Sequence, residues 1–305
     1  MVEAWYPPEA RTAEARLRYY ARRFDTVEAD APFYGIPDPK VAENWAGRTP
    51  DGFRFHVKAF GLMTQHSVEE RMLHPALREC RFEVSDRGRV HHPSSRMVDR
   101  SFELFGEFIA PLRTADKLGG VLMQFPLHFS ALDKHQRDEN LGYIQHAHER
   151  LEGVRMLVEF RHPSWVADEN LMPTLAFLAD REIAFVSVDA PQFPDRSTMP
   201  PVTAVTAPWA YVRLHGRNRD TYFGRNVSAA DRFDYLYTSE ELQEWAPRVR
   251  ELASDAETTW VMFNNCKHDY APRNAREMAE ILADLVEPGV PGAASPDGAQ
   301  LDLGI

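Results

Sequence analysis

Two kinds of hydrophobic pattern alternate along the chain. The first is a short run of β-branched and aromatic residues, often without polar alternation, closing on a polar side chain. Phe24-Asp25-Thr26-Val27 closes on Glu28, Phe53-Arg54-Phe55-His56-Val57 on Lys58, and Gly120-Val121-Leu122-Met123 on Gln124. Met156-Leu157-Val158 closes on Glu159, Ile183 to Val188 on Asp189, Tyr211-Val212 on Arg213, and Trp260-Val261-Met262-Phe263 on Asn264. Such runs read as strands buried on both faces of a parallel sheet. The second pattern has helical period. Thr12 is placed to cap a helix carrying Leu17, Tyr20 and Phe24, and Val98, Phe102, Phe105, Ile109 and Leu112 form the clearest stripe. Thr238-Ser239-Glu240-Glu241 is a capping box ahead of Leu242, Trp245, Val249 and Leu252. Asn274 is expected to cap a last helix with Met278, Ile281, Leu282 and Leu285.

Strands alternating with helices, joined by right-handed crossovers, leave a doubly wound sheet or a (β/α)8 barrel. The strand-end positions 28, 58, 124, 159, 189, 213 and 264 lie 30, 66, 35, 30, 24 and 51 residues apart. A barrel unit takes roughly 30 residues, so four gaps fit and two carry insertions. No Gly-rich phosphate turn follows the first strand, which weighs against a dinucleotide fold. The pattern therefore predicts an α/β TIM-type (β/α)8 barrel over residues 1–286, followed by a tail, 287–305, expected to be disordered. The long insertion after the Lys58 strand, from Gly61 to Arg96, reads as a surface excursion or as a lid over the mouth. Only seven strands are visible, so the first strand of the barrel is expected to be missing. Because exposed sheet edges invite aggregation, translation is expected to start upstream of Met1.

Composition narrows the class. Of 305 residues, 35 are Lys or Arg and 46 are Asp or Glu, for a formal net charge of −11. A surface-wide basic footprint for nucleic acid or anionic membrane is thereby excluded, although a local basic site is not. Cys80 and Cys266 are too few for a disulfide framework, and Cys266, near the mouth, reads as a packing residue. No run reaches the roughly 18 apolar residues of a membrane span, and the expected location is cytoplasmic.

In a barrel the carboxyl ends of the strands share one face, where catalytic residues gather. Seven successive strands here end in reactive groups. The candidates for acid–base work are Glu159, Glu28, Asp189, His215 and His162. The candidates for holding substrate are Lys58, Gln124, Arg161, Arg213, Arg217, Asn264 and Asn265. Arg213, His215 and Arg217 alternate and should share one side of an extended segment. Four cations on one face suit a phosphate or carboxylate. Internal Arg–Glu pairing would satisfy them equally well. A divalent metal is the cofactor these residues could serve, with Glu28, Glu159, Asp189, His162 and His215 as suitable ligands. No close spacing of the His-x-x-x-His or Cys-x-x-Cys kind supports it. Lys58 as an imine-forming lysine is compatible with its position at a strand end.

These residues also follow the order of a known family. Tyr6-Pro7, Phe24-Asp25-Thr26-Val27-Glu28, Phe33-Tyr34, Gly52-Phe53-Arg54-Phe55 with Val57-Lys58-Ala59, and Gln124-Phe125-Pro126 are followed by two specific motifs. These are Val158-Glu159-Phe160-Arg161-His162-Pro163-Ser164-Trp165 and Tyr211-Val212-Arg213-Leu214-His215-Gly216-Arg217, with Phe263-Asn264-Asn265 after them. Over residues 5–286 the chain resembles the YecE-like family, domain of unknown function 72. The resemblance implies a TIM-like barrel and brings no established activity. Two departures stand out. The family's usual opening strand, of the type Gly-Thr-Ser-Gly-Trp, does not appear, and Ala31-Pro32 stands where a small residue and Thr usually precede Phe-Tyr.

The expected function is an enzyme of hydrolase, lyase or isomerase type acting on a small anionic substrate. The alternative is a non-catalytic ligand-binding or DNA-repair-associated accessory protein. That alternative draws on the last residues, Gln300-Leu301-Asp302-Leu303-Gly304-Ile305, which resemble short sliding-clamp-binding peptides. Gln300, Leu301, Leu303 and Ile305 would be the contacts.

Overall fold

The computed structural model describes residues 5–194, 198–224 and 227–286. Seven parallel strands form one sheet: β1 (Thr26–Ala29), β2 (Arg54–Lys58), β5 (Leu118–Gln124), β6 (Met156–Glu159), β7 (Ala184–Asp189), β8 (Trp209–Leu214) and β9 (Thr258–Phe263). The order in space is the order in sequence, as right-handed βα crossovers produce. A two-stranded hairpin, β3 (Glu83–Val84) with β4 (Val90–His91), stands apart in the long insertion. Side chains from β8 and β9 reach those of β1 and β2: Tyr211 Oη donates to Glu28, and Trp260 packs 4.6 Å from His56. A flat sheet would keep its first and last strands far apart, so the sheet curls into a nearly closed TIM-like barrel.

Pairing runs from β1 to β9, and β1 does not pair with β9 among the described residues. A groove of about 2150 Å3 lies along this seam, reaching from Trp5 and Arg155 up to Glu28, Asp30 and Asn264. The expected upstream strand and the tail with its clamp-like residues lie outside the described residues.

Alternation along each strand sorts side chains between two cores. Leu122, Leu157, Val186, Val188, Tyr211 and Met262 fill the barrel interior. Val121, Met123, Met156, Val158 and Phe185 face the helices instead. The Ser95–Thr114 helix covers that outer face with Phe102, Phe105, Ile109 and Leu112, each worth about 1.5–3 kcal/mol when buried. Thr12 caps its helix as expected, and Thr238 with Glu241 completes the capping box. The last helix corrects one expectation. It runs Tyr270–Ile281, so Asn274 lies inside it, buried, bonding Tyr237 and Asn265. The insertion is folded rather than excursive: Leu62, Met63, Val68, Leu73, Leu77 and Val90 are all buried. Among the described residues, no helix is long and apolar enough to cross a membrane.

Candidate functional site

The end of β6 fixes the centre of the site. Leu157 and Glu159 share the inward face, while Val158 faces the helices. Glu159 is fully buried, so its carboxylate needs donors, and it has four. Oε1 accepts from Gln124 Nε2 at 2.6 Å, Arg161 Nη1 at 3.1 Å and His215 Nε2 at 3.1 Å, and Oε2 accepts from Arg213 Nη1. Burial alone would favour the neutral acid. Arg213, His215 and Arg161 overcome it and hold the Glu159 carboxyl well below the usual range.

Arg213, two residues beyond inward-facing Tyr211, bridges Glu159 to Glu28. Its Nε donates to Glu28 Oε2 at 3.0 Å, and Nη2 donates to Oε1, a two-pronged contact. Tyr211 Oη adds a third bond to Glu28 at 3.1 Å. Burial nevertheless outweighs Arg213 and holds the Glu28 carboxyl above its ordinary value. The two carboxyls are thus pushed in opposite directions.

His215 is buried between Glu159 and Asn264, with Asn264 Nδ2 2.9 Å from its Nδ1. The amide donates to Nδ1, which leaves the proton on Nε2 facing Glu159. Burial pushes its pKa down to about 4, so the ring is neutral near pH 7. Phe233 stacks on its face at 5.5 Å.

Lys58 and Arg161 occupy the rim. Lys58 Nζ lies 3.6 Å from Asp30 and 4.5 Å from the Phe33 ring centre, with its side chain 13% exposed. Burial lowers its pKa, with Arg213 adding to the effect against the pull of Asp30. Arg161 donates to Glu159 and, at 3.1 Å, to Tyr222 Oη. An aromatic column locks the turn that carries it: Phe160 on Trp165 at 4.4 Å, Trp165 on Phe129 at 5.5 Å, and Phe129 on Phe125 at 4.0 Å. His66, from the long insertion, comes to the same rim. Burial first, then Lys58, His128 and Arg161, lower its pKa to about 4.

Beneath this layer His56 is fully buried, and neither ring nitrogen has a hydrogen-bond partner among the described residues. A Cβ at Gly119 would lie 2.6 Å from that ring, so only glycine fits beside it.

Glu28, Lys58, Gln124, Glu159, Arg161, Arg213, His215 and Asn264 are therefore brought together. Four other candidates are not. Asp189 follows inward-facing Val188 and so turns outward, accepting from Arg217 Nε at 2.9 Å and Tyr237 Oη at 2.6 Å. Arg217 leaves the face of Arg213 and His215 because Gly216, at φ +88°, breaks the alternation. It pairs with Asp189, Glu241 and Glu244. His162 accepts from the Ser164 N–H at 3.2 Å and caps a short 3-10 turn, Pro163–Val166. Asn265 is buried and donates to Tyr235 O and Asn274 Oδ1. Cys266, expected to pack, is exposed.

Sequence reasoning missed Tyr211, His66 and Tyr222. Tyr211 was within reach, since it shares the parity of Arg213. His66 and Tyr222 come from loops with no periodic signal. For the divalent metal, the donor set fits poorly: both carboxylates are spent on guanidinium, and no group of three or more His, Cys, Asp or Glu among the described residues could hold an ion.

A family model described as a protein of unknown function, DUF72, matches residues 1–297. The chain is 28% identical over 281 residues to the UPF0759 protein YunF of Bacillus subtilis (strain 168), covering 91% of this chain and 89% of that protein. It is 35% identical over 75 residues to the UPF0759 protein YecE of Escherichia coli (strain K12), a quarter of each chain (25% and 25%). A crystal structure of a DUF72 family protein from Enterococcus faecalis V583 superposes with a TM-score of 0.72 at 26% identity, covering 88% of both chains. One from Thermotoga maritima MSB8 gives 0.69 at 30% identity, covering 90% and 92%.

Proposed function

The chain belongs to the DUF72 family, whose function is unknown, and we propose that its barrel mouth binds and converts a small anion bearing a phosphate or carboxylate. One observation carries the reading. Lys58 Nζ lies 4.5 Å from the Phe33 ring and His66 packs 5.0 Å from the same ring, while Arg161 follows the end of β6 and bonds Glu159, so two cations and an imidazole line the rim. Of the four cations at the strand ends, Arg213 is spent on Glu28 and Glu159, and Arg217 on Asp189 and its neighbours. Lys58, with only a 3.6 Å contact to Asp30, and Arg161, whose guanidinium keeps N–H groups beyond its bonds to Glu159 and Tyr222, stand at the rim for an anionic group.

The opposed carboxyls divide the work between proton transfer and positioning. Glu28, whose carboxyl burial holds above its ordinary value, is the group placed to exchange a proton. Glu159, saturated with donors, stays ionised and fixes Arg161, Gln124 and His215 in place. His215 is a neutral relay whose tautomer Asn264 sets. Glu159 is thereby a positioning residue rather than the proton carrier.

Thermal denaturation of the full chain with inorganic phosphate, simple phosphate esters and dicarboxylates tests the anion site. At least one should stabilise the protein at millimolar concentration, and Arg161→Gln should abolish the effect. Stabilisation that survives Arg161→Gln, or none from any anion, overturns the proposal. Turnover of the stabilising compound, lost in Glu28→Gln with binding retained, separates an enzyme from a non-catalytic binder.

A further inference from the structure

We infer that Lys58 is an imine-forming amine, and that the anion taken into the mouth carries a carbonyl group, as a 2-oxo acid or a phosphorylated ketone or aldehyde does. The inference rests on the reading of the mouth as an anion site and names the substrate class for it.

The five lysines of the chain make the case by contrast. Lys117 Nζ donates to Ala46 O at 2.7 Å and Thr49 O at 2.6 Å, so its ammonium ties two loops. Lys40 Nζ donates to Glu43 at 2.6 Å, Lys134 to Asp138 and Lys267 to Asp231, all at the surface. Lys58 alone, among the described residues, has an ammonium with no hydrogen bond, only the longer 3.6 Å contact to Asp30 and the face of Phe33. It is also the one that ends a barrel strand inside the mouth. An amine held in a poorly hydrated site, beside other cations and without a tight carboxylate, keeps its lone pair available. Burial and the Arg213 charge act in that direction.

The surroundings supply the remaining parts. Asp30, 3.6 Å from Nζ, is in reach of the Lys58 ammonium through one water and can take its proton by that route. The free amine attacks the carbonyl carbon, forming the C–N bond, while the π electrons move to oxygen. A proton passes from nitrogen to that oxygen, giving a carbinolamine. The C–O bond then breaks, the hydroxyl takes the proton back from Asp30 and leaves as water, and the nitrogen lone pair completes the iminium. Charge is unchanged and Asp30 ends as a carboxylate. Arg161, across the rim, holds the anionic group and so orients the carbonyl toward Nζ.

Reductive trapping tests this directly. The full chain is incubated with sodium cyanoborohydride and pyruvate or dihydroxyacetone phosphate, with acetone as the uncharged control, and the products are mapped by mass spectrometry. The two anionic probes should each give one adduct per chain at Lys58, formed roughly tenfold or more faster than at exposed Lys40 and Lys134. Acetone should show no such preference, and Lys58→Arg should lose the adduct. Labelling that follows exposure, or no adduct at Lys58 at saturating probe, overturns the inference. If that failure comes with Arg161-dependent thermal stabilisation by the same probes, the anion site stands and only the imine falls. If stabilisation is absent too, both fall.

Discussion

Two arginine–carboxylate clusters stand on neighbouring strands of this barrel and occupy opposite sides of it. On β1, β6 and β8, Glu28, Glu159 and Arg213 lie inside the mouth, with the Arg213 side chain 1% exposed. On β7, Asp189 meets Arg217, Tyr237 and Glu244 between the sheet and the helix Ser239–Asp255, and Arg217 is 26% exposed. The residue types are the same. What differs is parity: Glu159 follows a residue that faces the helices, and Asp189 follows one that faces the interior. One residue of register decides whether an acid joins the mouth or braces a loop.

The largest difference between the clusters should appear on removing the arginine. Arg213→Met leaves two buried carboxyls without a counter-charge and should cost about 3–5 kcal/mol in urea denaturation. Arg217→Met, at a site open to water, should cost about 1 kcal/mol. Equal losses would mean that burial does not separate the two.

Acidification should strike the interior next. His56, His66 and His215 are held neutral by burial, with pKa values lowered to about 3, about 4 and about 4. In the unfolded chain they take up protons near 6.5. The unfolded state therefore binds more protons between those limits, so stability is full above about pH 6.5 and is lost as pH falls toward 4. Glu28, with its carboxyl held up, opposes this in part. Each imidazole that stays neutral down to pH 4.5 should contribute a loss of about 2–3 kcal/mol, and His215→Gln should remove its share. A flat profile over that window would show that the imidazoles are not buried neutral.

The smallest effect sharpens the division of labour. Tyr237 Oη donates to Asp189 and accepts from the Gly216 N–H at 2.8 Å. Tyr237→Phe should cost about 1–2 kcal/mol of stability and leave the anion-dependent thermal shift unchanged. A lost thermal shift would tie the outer cluster to the mouth after all.

What the sequence determined by itself was the set of elements and where each one ends. Runs of Val, Leu, Ile and Phe bounded by polar residues mark buried parallel strands because both faces of each strand need apolar cover. The spacing between them marks helical crossovers, and hence a barrel whose mouth gathers Glu28, Lys58, Gln124, Glu159, Arg213 and Asn264. The tertiary structure decided which face each strand end takes, since parity is relative to neighbours. Asp189 could be assigned only once Val186 and Val188 were seen to point inward. It also decided which charges remain available. A linear sequence lists four cations and three acids, but whether Arg213 is free or consumed depends on distances between residues 54 and 185 positions apart, from Glu159 and from Glu28. Loop contributions such as His66 and Tyr222 belong to that second class as well, because no local periodicity constrains where a loop side chain arrives in space.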